Sequence, residues 1–450
     1  MLIRTTCFAA IGGFLFGYDL GLIGGALLGF SEDLGITKTQ TQEAIVGALK
    51  LGAAAGTFIG GALMLRYGRR PAIAATSITG VIGPILMASA QGAGALVLGR
   101  VMSGLGIGIC AICVPAYLAE IAPAAQRGAV VQVYELMLCV GMLAATAIDW
   151  LLHYTAGSGS WRWMVGIPVL PGAVMGLALM VLPESPRWLV MRNEMDRALS
   201  TLRTIMDGSQ IEAFSSLFNQ AEHELMLLWS SVEKDKAASQ NLARGEERRA
   251  FAVACCLAIF NQATASTAII NYAPKLLQRM GGMSASGSLA FTFIIAITKV
   301  LGVSAGLLLV DTVGRRPLLI WGALGCCGAM CLATVAAGLG NAIAVLVSLC
   351  AFIASFSVSW AGIYWVLVSE MFSMAAKSPA SAAATALLFL SGAVTNLVFL
   401  SLVDAMGYTA FLVFAGVAAA SAAFVHQAVP ETKGRQLADV QAVMASPWRQ

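Results

Sequence analysis

Charge is what this chain has least of. Only 11% of its 450 residues are Asp, Glu, Lys or Arg, while 58% are hydrophobic. A soluble globular domain carries about 25% charged residues, so a water-soluble enzyme, a disordered chain and a collagen-like chain are all excluded. Net charge is +4 and no run of Lys or Arg is long enough to follow a phosphate backbone, which excludes nucleic acid as a partner. The ten cysteines have neither a disulfide framework nor metal-ligand spacing. Cys110, Cys113, Cys255, Cys256, Cys326, Cys327 and Cys331 lie in apolar stretches and read as small core residues. No nucleotide-binding loop and no nucleophile–base motif occurs, so neither a cofactor nor catalysis is expected. The N-terminal MLIRTTCFAAIGGFLFGYD has no convincing small-residue cleavage site, so no removable signal peptide is expected.

What the chain does have is apolar length. A membrane span needs about 20 mostly apolar residues. Segments 71–99, 163–182, 250–274, 378–403 and 405–430 each suit one span. Segment 317–369 holds no charge over 53 positions and has room for two helices broken near 338–340. Further spans fall near 7–29, 43–65, 94–119, 128–150 and 286–310, each with a few charges inside or at an end. The sum is twelve. Each must be a helix, because lipid offers open backbone groups no partner. With both termini placed in the cytoplasm, inner loops and tails hold 20 of the 27 Lys and Arg, and outer loops hold four: Lys38, Arg162, Lys275 and Arg279. Cytoplasmic loops carry the excess of positive charge. Both termini are therefore expected inside.

The sequence repeats itself at one spacing. Gly68-Arg69-Arg70-Pro71 recurs as Gly314-Arg315-Arg316-Pro317, Pro183-Glu184 as Pro430-Glu431, and Glu120 is echoed by Glu370. The expectation is an all-α membrane protein of two parallel six-helix halves, with a central site at the repeat interface. The halves are 1–183 and 250–430, followed by a short tail, 431–450. Between them, 184–249 carries 20 of the 50 charges, and its helical spacing predicts a few short amphipathic helices on the cytoplasmic face.

These motifs carry a resemblance. Gly12 to Asp19 (GGFLFGYD) opens the chain, Gly68-Arg69-Arg70 follows span 2, and Gly99-Arg100 lies in span 4. Pro115 to Glu120 (PAYLAE) runs on to Arg127-Gly128, and Pro183 to Leu189 reads PESPRWL. Asp311 precedes Gly314-Arg315-Arg316, and Pro430 to Arg435 reads PETKGR. Along its whole length the chain resembles the sugar porters of the major facilitator superfamily. The resemblance implies a secondary transporter of hexoses or related polyols that works by alternating access in a lipid bilayer, as a monomer and without a cofactor. A plasma membrane is the expected location. An uncoupled carrier, a carrier of small organic acids and a non-transporting sensor are the alternatives.

The cytoplasmic motifs read as a latch. Arg69, Arg70, Arg127 and Arg187 are expected near Glu120 and Glu184, and Arg315, Arg316, Lys377 and Arg435 near Glu370 and Glu431. Guanidinium–carboxylate pairs of this kind are geometrically specific, and a network of them would hold an inner gate shut.

Sugar-binding groups are implied on spans 5, 7, 8, 10 and 11, with an aromatic on span 1. Position by position these are Phe16, Glu135, Asn261, Gln262, Thr267, Lys299, Trp365 and Asn396. Hydroxyl-rich ligands want amides as two-way partners and an aromatic face. Several positions depart from the family pattern. Glu135 replaces the usual Gln and Lys299 a frequent Asn. Thr267 takes the place of an Asn, and Gly392-Ala393 that of Asn-Trp. Span 10 has lost its flanking prolines, which weakens the helix break expected there. Lys50, inside span 2, reads as a snorkelling lysine.

Two charge pairs are expected within the membrane. Asp19 lies ~22 Å from Arg4, and Arg100 ~30 Å from Glu120, at the helical rise. Family members with this acid and this arginine are proton symporters, so Asp19 and Arg100 are expected to couple protons to transport. Glu135 and Lys299, from opposite halves, differ in height by ~6 Å. They either pair directly or touch substrate separately.

Overall fold

A computed structural model of the chain describes residues 2–121, 127–156, 158–206, 226, 248–372 and 374–433. All regular structure among the described residues is helical. Among the described residues, ten stretches are long and apolar enough to cross a membrane. One of them, Ala380–Ala428, turns back at Gly407, whose φ is +62°, and so crosses twice. Another crossing is split around Pro168, which has no N–H to continue the helix. That makes twelve, as the apolar lengths require.

Spans 1 to 5 are Leu2–Asp33, Thr39–Tyr67, Arg69–Ala88, Ala93–Ile121 and Arg127–Ala156. Span 6 is the broken pair Trp161–Gly166 and Val169–Ala178. Span 7 is Arg248–Ala263 continued by Ser266–Gly281, span 8 is Ala285–Val313, and span 9 is Arg315–Gly338. Span 10 is Ala342–Val358 continued by Trp360–Met371, span 11 is Met374–Met406, and span 12 is Ala410–Ala428. In the connecting segment, Pro186–Met191 and Met195–Met206 are short helices. Most of the rest of 184–249 lies outside the described residues, as does the tail from 434.

Burial is inverted relative to a soluble protein. Phe58, Ile78, Leu308 and Trp321 are each more than half exposed on the outside of the bundle, a surface that suits lipid. Inside, backbones touch. Gly13, Gly17 and Gly21, one helical turn apart on span 1, rest on the carbonyls of Tyr134, Leu138 and Met142 of span 5. Spans 2 and 4 mesh in the same way, with Gly52 and Gly56 on Val101 and Leu105, and Gly104 and Gly108 on Leu49 and Ala53. Lipid tails are as apolar as Leu, so helices associate by close packing, and small residues allow it. The two halves meet where span 2 packs on span 11, span 5 on span 8, and span 1 on the second segment of span 7.

Span 10 breaks although it has no proline to break it. Ser359 leaves the helix at φ −116°, ψ −80°. Its hydroxyl donates to the Ser355 carbonyl at 2.7 Å, and Gly322 leaves room for its side chain. Next to it, Trp360 accepts a 3.0 Å bond from Asn261 on its carbonyl and donates its indole N–H to Leu319 at 3.1 Å. Side-chain bonds hold the kink here.

Candidate functional site

Span 7 is interrupted where its amides lie. Its first helix stops at Ala263, and Ala265 stands at φ +64°, in the left-handed region that a Cβ disfavours. Discontinuous helices at mid-membrane are where transporters of this class place their binding groups. Asn261 donates to Trp360 and accepts from Gln262 Nε2 at 2.9 Å. Gln262 Oε1 accepts twice, from the Thr267 hydroxyl at 3.0 Å and from the Lys50 ammonium. Lys50 belongs to span 2, in the other half. It is buried about 16 Å from one end of its helix and about 25 Å from the other, too deep to snorkel. The expected snorkelling is thereby corrected. Space for it comes from Gly392, where a Cβ would meet both the Lys50 ammonium and Gln262 Oε1.

The other implied sugar-binding residues line the same seam. Asn396 is 1% exposed, and neither atom of its carboxamide has a partner, although its backbone carbonyl accepts from Tyr272 at 2.9 Å. Trp365 is half-buried, edge-on to Tyr364 at 5.1 Å. Phe16 of span 1 meets Phe389 of span 11 at 6.0 Å, ring to ring across the halves. Glu135 and Lys299 lie close enough for their charges to interact. No direct ion pair joins them, however: Lys299 Nζ rests 3.8 Å from Met142 Sδ. Helical side chains lean towards their own N-termini, which separates two heads on antiparallel spans.

Asp19 and Arg100 do come together. Arg100 Nη1 lies 3.5 Å from Asp19 Oδ1 and donates to the Asp19 carbonyl at 3.2 Å. Both side chains are buried within the first half. The pair is loosely held, because Asp19 Oδ1 and the Nε and Nη2 of Arg100 have no hydrogen-bond partner. A small cavity between spans 1, 3 and 4 runs alongside, lined by Phe16, Asp19 and Ser103, whose hydroxyl is unpartnered too.

A buried ion pair thus stands in one half, an amide cluster at a helix break in the other, and Lys50 reaches from the first half to that cluster. Comparison with known proteins agrees. Residues 5–444 match the family model described as "Sugar (and other) transporter". The chain belongs to the sugar transporter family. The probable metabolite transport protein CsbC of Bacillus subtilis is 33% identical to it over 448 residues, covering 98% of this chain and 94% of that one. The galactose-proton symporter of Escherichia coli is 30% identical, covering 95% and 91%. Among solved structures, the inward-open xylose transporter XylE from E. coli superposes with a TM-score of 0.83 at 25% identity, covering 98% of this chain and 100% of that one.

In this sugar transporter the two Pro-Glu carboxylates also serve the backbone. Glu184 accepts the backbone N–H groups of Arg69, Arg70 and Ser185 at 2.8, 3.2 and 2.8 Å. Glu431 accepts those of Arg315, Arg316 and Lys433 at 3.1, 3.0 and 2.9 Å. Each carboxylate therefore caps the start of span 3 or span 9, where orphan N–H groups and the helix dipole favour an anion. The expected side-chain pairing is corrected for Arg70 and Arg316 alone, whose guanidinium groups donate to the carbonyls of Leu179 and His426. Arg69 does pair with Glu120, at 2.6 Å, and Ser185 donates to the same carboxylate at 2.6 Å. Arg187 follows on the helix Pro186–Met191. The side chains of Arg127, Glu370 and Lys377, and all of Arg435, lie outside the described residues.

Two features are invisible in the motifs. At the end of the bundle opposite the termini, three contacts cross the seam. Glu43 accepts from the N–H and hydroxyl of Ser401, Thr39 donates to Asp404 at 2.6 Å, and Lys275 donates to Gln42. Asp404 also pairs with Arg279 of its own half. The second is Asp149 on span 5, 1% exposed, with one oxygen taking the Gly25 N–H at 3.2 Å and the other unpartnered. A carboxylate inside a span is the only signal that marks it.

Proposed function

We propose that this transporter moves a hexose or a related polyol by alternating access, as a symporter driven by protons. The observation that carries this reading is the buried, loosely held Asp19–Arg100 pair. An acid inside a span is costly and marks a functional site by default. Deprotonated Asp19 retains Arg100, and protonation releases the guanidinium, so two packings of span 1 differ by one proton. Arg100 also lies within electrostatic reach of Tyr272, whose hydroxyl holds the Asn396 carbonyl. That proximity would link the proton pair in one half to the sugar site in the other. Asn261, Gln262, Thr267 and Asn396 would bond the sugar hydroxyls. Trp365 and Phe16 would cover its C–H faces, with Glu135 and Lys299 on the opposite wall.

The seam contacts of Glu43, Thr39 and Gln42 would form the outer gate. Arg69 with Glu120, together with the Glu184 and Glu431 caps, would stiffen the inner one. The Lys and Arg distribution supports both termini in the cytoplasm, with the chain acting as a monomer in the plasma membrane. The relatives' names support sugars and protons as cargo: one is a galactose-proton symporter, and the structural neighbour is a xylose transporter. The test is uptake of D-glucose, D-galactose, D-xylose and myo-inositol into proteoliposomes under an imposed pH gradient. Accumulation of one or more of them, collapsed by a protonophore, is the expected result. Uptake that only equilibrates, with or without the gradient, would refute coupling.

A further inference from the structure

Three cations stand deep inside spans 2, 4 and 8. Arg100 has Asp19 beside it, and Lys299 has Glu135 within its field. Lys50 has no carboxylate within 4 Å among the described residues; its bond runs to a neutral amide, Gln262. The nearest acid on its own helix, Glu43, is two turns away and is occupied by Ser401. An ammonium has three donors, and Gln262 takes one of them. A buried charge without a counter-charge is costly, so its retention at the centre of a binding site asks what anion it meets.

The space around it answers in part. Gly392 faces Lys50 so closely that a methyl group there would touch the ammonium. Asn396 lies one turn further along span 11, on the same face. Its carboxamide is buried with both polar atoms unpartnered. A cation lacking an anion therefore lies against Gly392 and Gln262, and an amide lacking any partner stands one turn further along the same helix.

We infer that the substrate supplies the missing anion: a sugar acid, a polyhydroxy carboxylate of the hexuronate or aldonate type. The inference rests on the sugar-transport reading above and narrows its substrate class. The carboxylate takes the Lys50 ammonium. Gln262 Oε1, freed from that bond, accepts a sugar hydroxyl, and Asn396 both donates to and accepts from others. A neutral hexose leaves the ammonium with its amide and gains no charge-assisted bond.

The experiment uses the full chain in proteoliposomes, with D-glucuronate, D-gluconate and D-glucose as probes under one imposed pH gradient. The expected result is a KM for at least one acid about tenfold or more below that for D-glucose, the scale of one charge-assisted bond. Lys50→Gln is expected to raise the acid's KM by about tenfold or more, and by more than it raises that of D-glucose, while Lys50→Arg keeps the acid. Transport of D-glucose with neither acid transported or competing overturns the inference and leaves the sugar reading intact. An acid KM unchanged in Lys50→Gln overturns it as well. If none of the three probes is carried while D-galactose, D-xylose or myo-inositol is, the inference fails and the sugar reading stands; if none of these is carried either, both fail. Competition by the acids against D-glucose in the unmodified chain decides the matter even if Lys50→Gln does not fold.

Discussion

Glu43 accepts both the backbone N–H and the hydroxyl of Ser401, 358 positions away in the other half. Its carboxylate is 1% exposed as a residue and lies at the end of the bundle opposite the termini. Hydrogen bonds to a charged acceptor each contribute about 1.5–3 kcal/mol. Glu43→Gln keeps one acceptor and turns its NH2 group towards the other donor, so the closed seam is expected to weaken by about one such bond. About 1.4 kcal/mol is a factor of ten. A cysteine placed at Leu397, which packs on Gly47 across the same seam, is then expected to react about tenfold faster with a membrane-impermeant maleimide from the far side. An unchanged rate would remove Glu43 from the gate.

The backbone packing of spans 1 and 5 makes a stability test. A Cβ at Gly17 would overlap the Leu138 carbonyl and its neighbouring backbone atoms. Backbone cannot rotate aside as a flexible side chain can. Gly17→Ala is expected to force the spans apart and destabilise the fold by about 1–3 kcal/mol, the usual range for overpacking. Gly416→Ala, where nothing lies within 4 Å, is the control and is expected to be neutral or slightly stabilising. Thermal unfolding in detergent reads both. Equal midpoints for the two variants would show that the Gly17 contact is not rigid.

Some of this was legible in the sequence and some was not, for physical reasons. Twelve crossings follow from apolar length, which lipid demands whatever the packing. The closeness of Asp19 and Arg100 follows from two charges deep in spans that carry recognisable motifs. Glu184 and Glu431 are different, because a residue name does not say which atoms it meets. Paired with neighbouring arginines on paper, they bind backbone N–H groups in space, since the helix starts lie closer than the guanidinium groups. Lys50 could not be assigned. Its partner, Gln262, is 212 positions away and is reached only once span 11 offers Gly392 as a gap. Glu43, Lys275 and Asp404 look like ordinary charges near span ends until the two halves close on each other.

Glu135 and Lys299 test how far an interaction extends without contact. Lys299 Nζ sits against Met142 Sδ rather than the carboxylate. Uptake and thermal stability are to be measured for Glu135→Gln, Lys299→Asn and the double variant. With no direct bond to lose, the coupling energy is expected to stay below about 1 kcal/mol, at the low end of the range for neighbouring groups. Partial recovery in the double variant, with a coupling well above that, would show that the two charges close on one another in a different access state.

The proton-coupling reading stands on Asp19. Its carboxylate is buried, 3.5 Å from an Arg100 that has two N–H groups without acceptors. Asn at this position keeps the size and a carbonyl oxygen but can neither carry a proton nor hold a charge. With the charge gone, Arg100 is permanently released, and the packing change that alternates with protonation no longer depends on the proton gradient. The amide cluster on span 7 makes no bond to Asp19, so sugar binding is expected to survive. Each tenfold of accumulation requires about 1.4 kcal/mol, all of which must come from coupled protons. Asp19→Asn is therefore expected to lower the inside-to-outside ratio under a pH gradient to about one, while counterflow exchange of labelled against unlabelled substrate continues. Asp19→Glu, which restores a titratable group, is expected to recover part of the accumulation. An Asn variant that still concentrates its substrate against a gradient would show that the proton is carried elsewhere, and Asp149, a second buried acid of the same half with one oxygen unpartnered, would be the next position to change.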